Sequence, residues 1–113
     1  MSPLEPILSP NPQSPGHHVL IIHEVQAYQT WKRVFDSAAT IRQAAGERSY
    51  LVLHDTVDSD VIIHFSTWTS HADARRFFES PQLEKIRQEA GVRAPRFLYL
   101  GLLEHGILEQ PTS

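Results

Sequence analysis

Four short segments of this chain are apolar along nearly their whole length, and that constrains the fold more than any other feature. His18-Val19-Leu20-Ile21-Ile22-His23-Glu24-Val25 is one of them; residues 49–54, 61–68 and 96–103 are the others. Each is rich in β-branched, leucine or aromatic side chains, and each reads as a strand. A sheet with one face in water alternates apolar with polar residues. These segments do not: Val19 to Ile22, Leu51 to Leu53, Val61 to Ile63, and Leu98 with Leu100, Leu102 and Leu103 leave few polar breaks. Both sheet faces therefore need a cover. An uncovered apolar face of that size is an aggregation hazard, so a second copy packed sheet to sheet is expected.

The segments between the strands supply the other cover. Trp31, Val34, Phe35, Ala38, Ile41 and Ala45 recur at spacings of three and four, with Lys32, Arg33, Asp36, Arg42 and Gln43 assigned to the opposite side. Gly46 follows as a C′ glycine. Trp31 lies on the apolar stripe and is expected in the core. Residues 55–60, Asp-Thr-Val-Asp-Ser-Asp, form the turn of a hairpin. Ser70-x-x-Asp73 opens a second helix anchored by Phe77 and Phe78. Ser80-Pro81 restarts it, with Leu83, Ile86 and Ala90 inside. Arg75 and Arg76 are read as a solvated face. The order is βαββαβ, an α+β ferredoxin-like domain with an antiparallel sheet of order 4-1-3-2. Right-handed crossovers put both helical segments on one face, which leaves the other face to a second copy.

The domain is expected to occupy residues 17–104 of the 113. Residues 1–16 carry Pro3, Pro6, Pro10, Pro12 and Pro15 and read as an extended or disordered tail, and 105–113 as a short polar one. Net charge is −3 with no basic block, which argues against a nucleic-acid partner. Val61 to Trp68 also lacks the basic, glycine-containing signature of an RNA-recognition strand. With no cysteine, disulfides, iron–sulfur clusters and thiol chemistry are excluded. No apolar run approaches a membrane span and no signal-peptide pattern opens the chain, so a cytoplasmic protein is the expectation.

Tyr28-x-x-Trp31-x-x-Val34-Phe35-Asp36-Ser37, Arg42-x-x-Ala45-Gly46 and Tyr50-x-Val52-Leu53-His54-Asp55 form one pattern. Phe65-Ser66-Thr67-Trp68-Thr69-Ser70, then Ala72, Ala74, Arg75, Phe77 and Ser80-Pro81-x-Leu83 form a second. Over about residues 18–103 this resembles the antibiotic-biosynthesis-monooxygenase-like group of dimeric α/β barrels, with its small cyclase-like members. The resemblance implies a cavity between sheet and helices in each subunit. It also implies an activity range from cofactor-independent oxygenation of aromatic polyketides to haem degradation. The haem-degrading pattern includes an Asn on the first strand; here the only Asn is Asn11, in the tail.

Histidines interrupt the apolar strands. His17, His18, His71 and His105 are assigned to solvated positions; His23, His54 and His64 lie within or at the end of strands. If Val52 pairs with His64, then Tyr50, His54, Ile62, Ser66 and Trp68 share one face, and His23 could join it. The expected site uses His64, with His23 or His54, as a general base in an apolar pocket. Tyr50, Trp68 and Ser66 would hold a planar aromatic ligand. Neither H-x-x-x-H nor H-E-x-x-H is present, so no metal is expected. No cofactor is expected either, because a deprotonated, electron-rich substrate can react with oxygen or close a ring directly. The expected function is oxygenation or cyclisation of an aromatic, polyketide-like molecule; the alternative is a non-catalytic ligand-binding or accessory protein with the same barrel.

Overall fold

A computed structural model describes residues 16–111, and the proline-rich tail expected over 1–16 falls outside them but for Gly16. The elements are β1 (His18–Val25), α1 (Tyr28–Ser37), α2 (Ala39–Ala45), β2 (Glu47–His54), β3 (Val61–Trp68), α3 (His71–Phe78), α4 (Pro81–Glu89) and β4 (Val92–Leu100). The strands form one antiparallel sheet in the order β2-β3-β1-β4, which is the expected order read from the other edge.

The hairpin register pairs Val52 with His64 and Tyr50 with Ser66. On the other side of β3, Ile21 pairs with His64 and His23 with Ile62. Directly opposed residues point the same way, so His23 and His64 share a face. That face also carries Val19, Ile21, Val25, Ile62, Ser66 and Trp68, all buried. Trp31, Phe35, Ala74, Phe78 and Ala90 from the helical segments pack against it. The opposite face presents Leu20, Ile22, Leu51, Ile63, Phe65 and Leu98, all half-buried, while Leu53 is half exposed. No element of the chain covers this second face among the described residues.

Local chemistry explains the helix ends. Ser70 Oγ accepts from the Asp73 amide at 3.0 Å and Ser80 Oγ from the Leu83 amide at 3.3 Å, so both expected caps form. Gly46 ends α2 at φ +127°, where a side chain would run into the Thr69 hydroxyl. The single helix expected from Trp31 to Ala45 is instead broken at Ala38. There the Val34 carbonyl accepts from both the Ala38 amide at 3.1 Å and Ser37 Oγ at 2.9 Å. The last strand begins four residues earlier than expected, at Val92 rather than Arg96, and ends at Leu100 rather than Leu103. Leu103 is fully exposed beyond it.

Among the histidines assigned to solvated positions, one is buried. His18 is buried, 6% exposed, because it opens β1 between Thr67 and Leu100 and packs on Phe65. Burial, followed by the nearby His71 and His17, lowers its pKa. Arg75 and Arg76 are exposed as expected, although Arg75 also lies 3.9 Å over the Tyr99 ring.

Candidate active site

Two irregularities in the sheet set up the site. In β4 the register with β1 shifts between Ile22 and Glu24, which sets two residues, Ala94 and Pro95, opposite His23 alone. Ala94 has φ 45°, the left-handed region that a non-glycine residue enters at a cost. In β2 the register with β3 shifts between Glu47 and Ser49, so Arg48 is the extra residue. One inserted residue reverses side-chain alternation. Glu47 therefore points to the helix-covered face together with Tyr50 and Val52, where simple alternation would send it outward.

The result is a buried polar network in an apolar setting. Glu47 Oε1 accepts from Arg42 Nη1 at 3.0 Å, and Glu47 Oε2 accepts from His64 Nε2 at 2.8 Å. All three side chains are at most 8% exposed. Arg42 Nη2 also donates to the Phe35 carbonyl at 3.2 Å, and the guanidinium lies 3.8 Å from the centre of the Phe35 ring. Arg42 is thus tied on two sides and Glu47 is an acceptor on both oxygens.

His23 and His64 line an apolar cavity between sheet and helices, of about 60 Å³. Its roof is the stacked pair Trp31 and Phe35, with ring centres 4.7 Å apart; His23 lies 5.6 Å from Trp31 and His64 5.0 Å from Phe35. His23 is 6% exposed, and neither ring nitrogen has a partner. Desolvation, then the charges of His64 and Arg87, push its pKa down to about 3. It is a neutral imidazole throughout the physiological range. An unpartnered buried polar side chain costs stability.

The remaining expected residues are distributed differently. His54 sits exposed at the end of β2, with Nδ1 3.1 Å from the Asp55 carbonyl oxygen, and borders a separate groove with Tyr28 and Asp60. Trp68 and Ser66 bond to each other: Trp68 Nε1 donates to Ser66 Oγ at 2.8 Å, and Ser66 Oγ donates to the Val19 carbonyl at 3.4 Å. Both are buried, with Trp68 packed on Phe77 and Phe78. Tyr50 is 47% exposed and lies edge-on to Phe35 and His64. It borders an open groove of about 510 Å³ outside the cavity, and Arg42 lines both spaces. Sequence reading missed Arg42 and Glu47. The signal for Arg42 was its spacing of four from Ala38 and seven from Phe35, which places it on the apolar stripe.

The architecture is that of known dimeric ferredoxin-like proteins and antibiotic biosynthesis monooxygenases. A candidate antibiotic biosynthesis monooxygenase from Caulobacter crescentus CB15 superposes with a TM-score of 0.63 at 17% identity, over 79% of this chain and 91% of that one. SnoaB, a cofactor-independent oxygenase from Streptomyces nogalater, gives 0.61 at 14% identity, over 86% and 100%. A dimeric ferredoxin-like protein from an uncultured marine organism gives 0.56 at 11% identity, over 85% and 95%. No protein-family model and no curated protein sequence matches the chain.

Proposed function

We propose that this protein is a homodimeric small-molecule enzyme that oxygenates or cyclises an aromatic, polyketide-like substrate without a cofactor, using His64 as general base. The observation that carries this reading is His64 on the wall of an apolar cavity, bonded behind to a buried carboxylate. An imidazole so held can take a phenolic or enolic proton. The electron-rich carbon then adds dioxygen to give a hydroperoxide, protonated by His64. This loses the hydrogen remaining on that carbon and breaks its O–O bond to leave a carbonyl and water. Alternatively the anion attacks an internal carbonyl to close a ring, and the alkoxide takes the proton back from His64. His23 offers the substrate oxygen a hydrogen bond. The likeness to a cofactor-independent oxygenase supports the chemistry at the level of fold.

Size adds a requirement. The cavity, about 60 Å³, is smaller than the ~150 Å³ that accommodates benzene. The reacting ring therefore displaces lining side chains on entry, while the rest of the substrate lies in the open groove on Tyr50. Oxygen uptake with an anthrone or polyphenol tests the reading. The wild type consumes oxygen, and His64→Ala lowers the rate by about 10²-fold. Tight binding with no uptake and no ring-closed product would replace the enzyme with a ligand-binding protein.

The dimer rests on the open sheet face. Leu20, Ile22, Leu51, Ile63, Phe65 and Leu98 form a continuous apolar surface, and the dimeric ferredoxin-like neighbour supports a second copy as its cover. Ile63→Lys places a charge at the middle of that surface. We expect sedimentation to give a dimer for the wild type and at least a tenfold weaker association for the variant, each 1.4 kcal/mol of interface energy being tenfold. A monomeric wild type at micromolar concentration would remove this part of the proposal.

A further inference from the structure

Building on His64 as the base, we infer that Glu47, clamped by Arg42, is the positioning residue of the site: it fixes the proton of His64 on Nε2, making Nδ1 the proton-accepting atom. The work is thereby divided between the two cavity histidines, with His64 taking the proton and His23 holding the ligand oxygen.

The division follows from who can donate. A carboxylate that already accepts from a guanidinium at 3.0 Å has only lone pairs to offer at its other oxygen, 2.8 Å from His64 Nε2. A neutral imidazole carries one N–H, so a donor at Nε2 leaves the lone pair on Nδ1. The one hydrogen bond of the His64 side chain among the described residues is at Nε2, and the ring lines the cavity, so Nδ1 is the nitrogen left for a ligand. Proton uptake at Nδ1 would create an imidazolium whose other N–H already faces a carboxylate, the arrangement that stabilises such a cation in hydrolytic triads. Arg42 and Glu47 offset one another in charge, so His64 is oriented without a net charge being added to the cavity.

His23 has no such anchor. It lies on the neighbouring strand and the same face, yet both ring nitrogens are without partners. Its ring can donate from one nitrogen and accept at the other, which suits a ligand hydroxyl or carbonyl rather than a carboxylate. The inequivalence of the two histidines traces to the extra residue Arg48, which turns Glu47 inward beside His64.

Long-range proton–nitrogen correlation of the imidazoles in ¹⁵N-labelled protein reads this directly. The expected wild-type result is a single His64 tautomer protonated on Nε2. In Glu47→Gln the side chain has one acceptor oxygen for two donors, and His64 becomes a mixture of tautomers while the His23 signals stay in place. On the same variant kcat falls roughly 10-fold or more, within the range of general-base effects, with KM within about twofold. A wild-type His64 protonated on Nδ1 overturns the inference even if the variant does not fold. So does an unchanged His64 tautomer in folded Glu47→Gln. The tautomer is read without turnover, so a protein with the expected tautomer and no oxygen uptake would overturn the enzyme reading alone.

Discussion

Acidification from pH 6.5 to 3 is expected to weaken the fold by an amount on the order of 4 kcal/mol through His23 alone. Burial holds the folded-state pKa of this ring down to about 3, against an ordinary value of 6.5. Between those limits the unfolded chain binds a proton that the folded chain does not, so stability is full above pH 6.5 and is lost as the pH falls toward 3. Each pKa unit corresponds to about 1.4 kcal/mol. Urea midpoints at fixed protein concentration, taken at pH 7 and 4.5, measure the slope. Replacing His23 with Leu removes the titration and the two unpartnered nitrogens together. At pH 7 this variant is expected to be as stable as the wild type or about 1 kcal/mol more stable, and to show a flatter pH profile. An unaltered pH slope in His23→Leu would sink the assignment.

The sheet was readable because its signal is redundant. Four apolar runs, the 55–60 turn and two serine caps each point to the same βαββαβ order, whereas the hairpin register stood open to a one-residue slip and the pairing of Val52 with His64 is set by the structure. Face sharing between His23 and His64 needed the β1–β3 register, which no turn links and no local pattern sets. Glu47 was hidden for a different reason. One extra residue at Arg48 reverses the alternation, and neither its sequence nor its neighbours announce it. Arg42 was hidden by its own chemistry: a charged side chain on an apolar stripe is ordinarily moved to the solvent side of a helical wheel. The break at Ala38 is likewise local, a backbone turn at φ −89° and ψ 3° that the apolar period does not register.

Arg42→Ala is expected to destabilise the protein by about 3–5 kcal/mol, because it strands the Glu47 carboxylate in the interior with His64 as its only remaining partner. The loss exceeds that of an exposed pair such as Arg75 with Glu79, for which about 0–1 kcal/mol is usual. What distinguishes a positioning network from a stabilising one is the double replacement. Two buried charges are costly to desolvate, so Arg42→Met with Glu47→Leu fills the same space with apolar atoms and is expected to recover most of the stability lost in Arg42→Ala. Denaturant unfolding at fixed protein concentration measures all three proteins. If Arg42→Ala costs less than about 1 kcal/mol, the pair is solvated and the buried network is wrong. If the double variant is as stable as the wild type, the ion pair contributes nothing net to the fold, and its place beside His64 is then explained by orientation of the imidazole rather than by stability.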